Sequence, residues 1–346
     1  EYEDAVQKLA ASGLLGDSEM IAEIVREPDP IMELAEEAGL EEKMAQIAAE
    51  INSRAPEHDV QPSTSRVVDC LDILGNPQNS YRTIHITGTN GKTSTSRMIA
   101  ALLAEKGMRV GRYTSPHMHT MRERVTIDDE IISRAAWVDT WNQIKPAIEL
   151  VDKASLAGGG PVMSTFEVYT VMAYAAFADA PVDVAVIEVG MGGMWDATNV
   201  IEADVAVLTT IEVDHARYLG STREEVAREK VGIIKDGATV ISAIQHPEVL
   251  PILAEAVASH HAHLELEARD LNLLDRTPGV GGQVIAVQTP AATYSDIPFS
   301  LLGRHQARNA VLAIGAVEAF FGGGALDGTV LEHALMSFQS PGRLEV

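Results

Sequence analysis

Gly88-Thr89-Asn90-Gly91-Lys92-Thr93 joins a strand-like run, residues 83 to 87, to a helix-like run that begins at Ser94. Glycines allow a tight turn with inward-pointing backbone N–H groups, and the helix start adds about half a positive charge at the same point. Lys92 can then reach the outer phosphates of a nucleotide, and Thr93 can reach a bound metal ion. The stretch therefore predicts a phosphate-binding loop.

Composition narrows the function further. The formal net charge of −24 over 346 residues argues against binding to nucleic acid or to an anionic membrane. Cys70 is the single cysteine, so no internal disulfide can form, and a cytoplasmic location is expected. The longest apolar stretch, residues 168 to 178, is shorter than the roughly 20 residues of a membrane span. We expect a monomer that acts on small molecules.

The order of apolar runs predicts the fold class. Residues 1–55 are acidic and helix-like, which indicates a helical N-terminal appendage. From Ile84 onward, buried-strand patterns alternate with helical patterns. This alternation is typical of an α/β protein, and with the loop it predicts a P-loop-type, mostly parallel sheet with helices on both faces. Ligands of such sheets bind beyond the carboxyl ends of the strands.

Two acidic positions follow predicted strands at that edge. Glu188 ends the apolar run that begins at Val184, and a carboxylate there can hold Mg²⁺. Asp214 and His215 follow the run Val205 to Leu208. Mg²⁺ prefers oxygen ligands, so the pattern alone leaves His215 open between a metal ligand and a structural histidine.

Several strings, taken together and in order, resemble the folylpolyglutamate synthase and dihydrofolate synthase branch of the Mur ligase superfamily. The phosphate loop is the shorter variant of this family, because Ile86 stands where the first glycine of the longer pattern would fall. The match covers roughly residues 60 to 346. Its strings are Gly88 to Thr93, Ser115-Pro116-His117, Glu188 to Gly193, Asp196-Ala197-Thr198-Asn199, Asp214-His215 with Leu219-Gly220, Glu229-Lys230 with Gly232 to Lys235, His305-Gln306 with Asn309-Ala310, and Pro341-Gly342-Arg343.

The resemblance implies roles for individual residues. The ATP-binding residues would be Gly88, Thr89, Asn90, Gly91, Lys92, Thr93 and Ser94 of the loop, Asn309 at the adenine and Arg343 near the phosphates. The metal ligands would be Thr93, Ser115, Glu188 and His215, and the substrate would contact Ser115, Pro116, His117 and Phe166. Lys92, His215 and Lys230 would be catalytic, with Lys230 carbamylated to give an anion that coordinates or orients Mg²⁺.

The implied activity is ATP- and Mg²⁺-dependent addition of L-glutamate to dihydropteroate, to folyl-glutamates or to both, through an acyl phosphate. The sequence leaves the acceptor open. One alternative is a Mur ligase of peptidoglycan synthesis, although the residues before Ile84 look too few for its usual N-terminal domain. A second alternative is a nucleotide-binding module without turnover.

Two departures from the family pattern accompany the resemblance. The first is Met194, which stands where the family commonly has an arginine, so a positive charge is missing there. The second is that the chain stops at Val346, where the family continues into a C-terminal domain that holds much of the glutamate site. Residues 56–337 would form the Mur-ligase-type ATP-binding domain, and residues 338–346 would begin the linker to that absent domain. We therefore expect the 346-residue chain to bind MgATP but not to complete glutamate addition.

Overall fold

A computed structural model describes residues 30–56 and 62–338, with side chains from residue 37 onward. The α-helices are α1 (Pro30–Asn52), α2 (Ser65–Ile73), α3 (Lys92–Glu105), α4 (Arg134–Ala157), α5 (Thr165–Asp179), α6 (Ala216–Leu219), α7 (Arg223–Lys230), α8 (Leu250–Ser259), α9 (Arg304–Phe320) and α10 (Gly328–Met336). The strands are β1 (Arg82–Thr87), β2 (Val110–Tyr113), β3 (Val125–Ile127), β4 (Glu130–Ile131), β5 (Val184–Glu188), β6 (Val205–Leu208), β7 (Thr239–Ser242), β8 (His263–Leu266), β9 (Asn272–Gly279), β10 (Gly282–Gln288) and β11 (Thr293–Phe299).

Eight strands form the main sheet, in the order β4-β3-β2-β5-β1-β6-β7-β8. Six neighbouring strands, β2-β5-β1-β6-β7-β8, run parallel. Strands β3 and β4 pair antiparallel at one edge of the sheet. The register places Ile86 of β1 opposite Glu188 of β5, and Thr87 opposite Leu208 of β6. The carboxyl ends of the three central strands therefore meet at one edge. The predicted α/β class with a mostly parallel sheet is confirmed.

Helices cover both faces of this sheet. Ile84 and Ile86 of β1 are fully buried in a core that includes Met98 of α3 and Val311 of α9. Ala206 and Leu208 of β6 belong to a different core, which includes Val226 of α7. Because successive side chains of a strand point to opposite faces, Val207 of β6 joins the first core.

A second sheet was not predicted from the sequence. Strands β9, β10 and β11 form an antiparallel sheet in the order β11-β10-β9. Their inward residues Ile285, Val287, Ile297 and Phe299 enter the same core as Ile84 of β1. This small sheet therefore extends the core beneath α9 and belongs to the same packed body.

The chain divides into two compact units, Glu1–Ala49 and Glu50–Val346. Helix α1 confirms the helical character expected of the N-terminal segment, over residues 30–52. Pro30 is the first residue of this helix, a position where the missing N–H of proline costs nothing. The domain boundaries at residues 55 and 337 stay predictions. In the described ranges, no helix has both the length and the apolar character needed to cross a membrane.

Phe177 of α5 gives a test of this packing. Its side chain is fully buried and leaves no room for a side chain at residue 111, where a Cβ would lie 2.6 Å from the ring. We expect Phe177→Ala to lower the free energy of unfolding by about 3–5 kcal/mol, because it removes contacts and leaves a cavity. Phe321→Ala is the matched control, because Phe321 is 41% exposed and should cost less than about 1 kcal/mol. Equal losses in urea unfolding would contradict the packing described here.

Candidate functional site

The predicted phosphate loop lies between β1 and α3, and its two glycines are sterically required. Gly88 and Gly91 have φ values of 135° and 92°, which L side chains rarely adopt. A Cβ at Gly88 would lie 1.9 Å from Oγ1 of Thr209, and a Cβ at Gly91 would lie 2.7 Å from Oδ1 of Asn309. No other residue fits either position without moving its neighbour.

Two lysines converge on one carbonyl oxygen of this loop. Lys92 Nζ donates to the Gly88 oxygen at 2.9 Å, and Lys230 Nζ, at the end of α7, donates to the same oxygen at 3.0 Å. Lys230 is only 2% exposed. Burial, reinforced by the nearby charge of Lys92 and opposed by Asp214 and Asp196, lowers the pKa of Lys230 to about 7. A large fraction of this amine is therefore neutral, and nucleophilic, near neutral pH.

A hydroxyl and a carboxylate oxygen predicted to bind a metal ion lie together beside the loop. Thr93 Oγ1 donates to Oε1 of Glu188 at 2.9 Å, and Glu188 is 2% exposed. Across the described ranges, no group of three or more His, Cys, Asp or Glu side chains is placed to hold a metal ion. Mg²⁺ is commonly held by one or two carboxylates together with substrate phosphates and water, so this hydroxyl–carboxylate pair fits that ion.

The loop opens into a cavity of about 440 Å³. Its lining comprises Pro56, Ser63, Thr89, Asn90, Gly91, Lys92, Thr93, Ser115, Pro116, Ser164, Phe166, Glu167, Glu188, Gly190, Met191, Trp195, Asp196, Ala197, Asp214, His215 and Tyr218. Phe166 forms an aromatic wall, with its ring centroid 6.0 Å from that of Tyr113. Gly190 gives this ring its space, because a Cβ there would lie 2.4 Å from Phe166 Cζ. The cavity thus combines the polar residues of the predicted phosphate loop with an aromatic ring.

Most of the residues predicted from the sequence meet at this cavity. Those lining it are Thr89, Asn90, Gly91, Lys92, Thr93, Ser115, Pro116, Phe166, Glu188 and His215. Lys230 approaches from behind the loop through the Gly88 oxygen. His215 has a left-handed backbone, with φ of 47°, and its Nε2 lies 3.5 Å from Oδ1 of Asp214.

Three other predicted residues do not line this cavity. His117 is not among the residues that line the cavity, and its Nδ1 accepts a hydrogen bond from Arg124 Nε at 2.9 Å. Ser94 is buried, with its hydroxyl 3.4 Å from Nε2 of Gln306. Asn309 lines a neighbouring cavity of about 130 Å³ that also touches Asn90 and Gly91. Arg343 lies outside the described residues.

Sequence reasoning gave no role to Asp196, which also lines the cavity. Its carboxylate is 3% exposed and accepts backbone N–H groups from Met191 at 2.8 Å and Thr198 at 2.9 Å. Burial raises the pKa of Asp196, while these hydrogen bonds pull it down. The available signal was the Asp-x-Thr spacing, since aspartate commonly binds its own backbone two residues on.

Met194 occupies the position where an arginine was expected. Its side chain is 57% exposed, while its backbone is fixed by hydrogen bonds to the Glu229 oxygen and from Asn199 Nδ2. The backbone here is therefore held independently of the side chain. An exposed, uncharged side chain therefore takes the place of the expected positive charge.

A parallel sheet with a phosphate-binding loop, a buried oxygen pair and a buried lysine behind the loop defines a nucleotide-binding core of the Mur ligase type. Residues 86–140 and 146–317 match the family model described as the Mur ligase middle domain. Within this superfamily, the chain belongs to the dihydrofolate synthase/folylpolyglutamate synthase family of ATP-dependent ligases. The family expected from the sequence strings is confirmed.

Individual relatives support this assignment. The dihydrofolate synthase/folylpolyglutamate synthase of Mycobacterium tuberculosis is 46% identical over 341 residues, which cover 95% of this chain and 68% of the relative. The enzyme of the same name from Bacillus subtilis is 35% identical over 290 residues, covering 83% of this chain and 66% of the relative. The chain thus spans about two thirds of the length of these relatives.

Solved structures give the same result. The Mycobacterium tuberculosis folylpolyglutamate synthase complexed with ADP and AMPPCP superposes with a TM-score of 0.83 at 46% identity, covering 88% of this chain and 68% of that one. A complex of a folylpolyglutamate synthase with AMPPCP and folate gives a TM-score of 0.80 at 34% identity, covering 87% of this chain and 73% of that one.

The buried amine of Lys230 predicts a pH dependence of stability. Its pKa is about 7 in the folded state and 10.5 as the ordinary value, so between these pH values the unfolded state binds more protons. Stability contributed by this group therefore rises with pH across that window and is constant below it, where both states are charged. Lys230→Met should lack this rise, whereas exposed-surface Lys106→Met should keep it. Urea unfolding in carbon-dioxide-free buffers checks this, and parallel wild-type and Lys230→Met curves would contradict it.

Proposed function

We propose that this protein is an ATP-dependent ligase that adds L-glutamate to dihydropteroate, to folyl-glutamates or to both, through an acyl phosphate. The observation that carries the proposal is one cavity lined by two chemically different sets of residues. Lys92, Thr93 and Glu188 form the first set, and Phe166 belongs to the second. A nucleotide triphosphate needs the first set, and a flat aromatic acceptor such as a pteridine needs the second.

We further propose that the ATP phosphates bind across the loop. Lys92 exchanges the Gly88 oxygen for phosphate oxygens, which places its charge against the transferred group. The cavity beside Gly91 takes the adenine, with Asn309 as its polar contact, since this cavity adjoins the loop. Ser94 supports α3 at the loop. Arg343 is assigned to the phosphates from the family pattern alone.

Thr93 and Glu188 would hold Mg²⁺, with Ser115 at the same ion and His215 at a second one. The bound ions neutralise phosphate charge, which otherwise repels the incoming carboxylate. The chain supplies the orientation. Glu188 is fixed at the end of β5, and Thr93 is fixed in the first turn of α3. Since rigid elements carry both groups, the distance between them is set by the fold.

The acceptor carboxylate attacks the γ-phosphorus of ATP, so that the P–O bond to ADP breaks and an acyl phosphate forms. The L-glutamate amine then attacks the acyl carbon, the amide C–N bond forms as the acyl C–O bond breaks, and inorganic phosphate and a proton are released. We place the acceptor ring against Phe166, with Ser115 and Pro116 beside it. His117 would contribute to acceptor binding indirectly, through Arg124, from which it accepts a hydrogen bond. Exclusion of water protects the acyl phosphate from hydrolysis.

We also propose that Lys230 reacts with CO₂, giving a carbamate and a proton. Three features support this assignment: the amine is buried, its pKa is lowered, and the charge of Lys92 lies beside it. A carbamate anion there would pair with Lys92 where a second cation repels it. The anion would also orient Mg²⁺ near the loop.

The remaining assignments concern partners and location. We propose a monomeric, cytoplasmic protein that acts on small molecules and does not bind nucleic acid. The support is the net charge of −24, which repels polyanions, and the unpaired Cys70.

The proposed function is tested by calorimetry and by product analysis. Lys92→Ala should weaken binding of a non-hydrolysable ATP analogue by at least about ten-fold, because the phosphates lose a charge-assisted hydrogen bond. Lys106→Ala, at the other end of α3, is the matched control and should bind normally. Unchanged affinity in Lys92→Ala would refute the loop assignment.

The acceptor class is read in parallel. With the ATP analogue and Mg²⁺ present, dihydropteroate or tetrahydrofolate should bind to the wild-type protein, and a uridine-linked muramyl acceptor should not. Mass spectrometry then measures glutamate addition with ATP. Binding of the muramyl compound alone would replace the proposed function by peptidoglycan ligation. ATP binding without either acceptor would favour a nucleotide-binding module.

The carbamate is tested with isotopically labelled bicarbonate. Wild-type protein should show a carbamate carbonyl resonance by NMR that is absent in Lys230→Met and present in Lys235→Met. Where the unsubstituted protein adds glutamate, Lys230→Ala should lose that activity, and short carboxylates should restore part of it. A wild-type spectrum without the resonance, at near-neutral pH and saturating bicarbonate, would refute this assignment.

A further inference from the structure

The central strand β1 has an unusual polar face. Strands buried on both faces of a parallel sheet are normally apolar throughout. In β1, however, Ile84 and Ile86 alternate with Thr83, His85 and Thr87, and all five side chains are buried. A buried histidine and two threonines in such a strand cost stability unless they are hydrogen bonded. The hydrogen-bond partners of these polar side chains therefore indicate the role of this face of β1.

His85 and Thr87 both bind the segment that follows β5. Thr87 Oγ1 donates to the Gly192 oxygen at 2.8 Å. His85 Nε2 lies 2.9 Å from Oγ1 of Thr198, and this hydroxyl donates to Oδ1 of Asp196. The polar face of β1 is thus hydrogen bonded to the segment 190–198 at two residues, Gly192 and Thr198.

The direction of these hydrogen bonds follows from the donor inventory. Both oxygens of Asp196 accept backbone N–H groups, so the carboxylate acts as an acceptor on both sides. The single hydroxyl proton of Thr198 points to Asp196, so its oxygen must accept from His85. His85 therefore carries its proton on Nε2. Within residues 30–56 and 62–338, Nδ1 of His85 has no hydrogen-bond partner, which suits an unprotonated nitrogen better than a buried N–H.

Asp196 in turn fixes one wall of the cavity. It accepts the backbone N–H of Met191 and also that of Gly190, the residue that makes room for Phe166. Gly190, Met191 and Trp195 all line the cavity. A shift of this segment would therefore change the space in front of Phe166.

We propose that His85 is a positioning residue for acceptor binding. It orients the Thr198 hydroxyl toward Asp196, and Asp196 holds the cavity wall formed by residues 190–195 in the conformation that binds the acceptor. The link to the acceptor rests on the proposed function. The link to the wall rests only on the hydrogen bonds. His85 does not line the cavity, so it acts entirely through Thr198 and Asp196.

The surrounding charges give this chain a pH dependence. Asp196 lies within electrostatic reach of Lys230 on α7 and of the Tyr174 phenol on α5, and His85 lies within reach of Lys235. Protonation of Asp196 turns one acceptor into a donor and releases a backbone N–H of the wall. Loss of the hydrogen bond from the Thr198 hydroxyl raises the pKa of Asp196 further. The pH below which acceptor binding weakens should therefore be higher without this hydrogen bond.

The experiment compares His85→Leu, His85→Gln, Thr198→Val and Thr198→Ser. Calorimetry with dihydropteroate and tetrahydrofolate, in the presence of a non-hydrolysable ATP analogue, gives the affinity across pH. His85→Leu and Thr198→Val should each weaken acceptor binding about ten-fold and raise the pH below which binding weakens. The double variant should bind the acceptor no more weakly than either single variant. His85→Gln, which offers an amide N–H near Nε2, and Thr198→Ser should resemble wild type. Affinity for the ATP analogue should not change.

Hydrogen exchange of the Met191 amide gives a readout that needs no ligand. It should quicken in His85→Leu and Thr198→Val and stay slow in the two conservative variants. If His85→Leu does not fold, the two Thr198 variants still decide the matter. Unchanged exchange and acceptor affinity in Thr198→Val would overturn the inference, and so would additive losses in the double variant. Failure of wild type to bind either acceptor would refute the proposed function, while the exchange data would still judge the positioning role.

Discussion

The close approach of Gly88 to Thr209 is the constraint on which the site depends. Thr209 lies so near that no side chain fits at Gly88, because a Cβ there would lie 1.9 Å from Oγ1 and 3.1 Å from the carbonyl carbon of Thr209. The carbonyl oxygen of Gly88 is the point where Lys92 and Lys230 meet. The charge of Lys92 and the buried amine of Lys230, whose pKa is lowered, therefore meet at the loop to which we assign the nucleotide phosphates. In a protein with a net charge of −24, Lys92 at this point is the cation that can attract an anion to a cavity also lined by Glu188 and Asp214.

Local patterns were sufficient to predict the elements around the loop. The run from residue 83 to 87, the glycines and the following helix are adjacent in the chain, so spacing alone identifies them. Glu188 could be placed for a similar reason, because parallel strands bring their carboxyl ends to one edge. Lys230 could not be found from spacing, since it lies 142 residues from its partner Gly88 in sequence. Family resemblance singled it out, and the fold explains its proximity to Lys92.

Other features depend on contacts that no local pattern reports. The sheet of β9, β10 and β11 was missed because its strands carry mixed polar and apolar residues, and its inward side chains are buried by α9. Asp196 looks like an ordinary turn aspartate until the fold sets it beside the cavity. The placement of His117 behind Arg124 likewise follows from the tertiary arrangement, because adjacency to Ser115 in sequence suggested a place in the lining.

The shared core of the two sheets has a consequence for how this fold tolerates change in length. Ile285 and Phe299 pack in the same core as Ile84, which lies under the loop. Removal or displacement of the small sheet would therefore expose the core that supports the proposed nucleotide site. Its hairpin tip is different. Val280, in the two-residue connection between β9 and β10, is fully exposed. Natural insertions, tags or fused modules are accommodated at such a tip, whereas the strands on either side must keep their length and register.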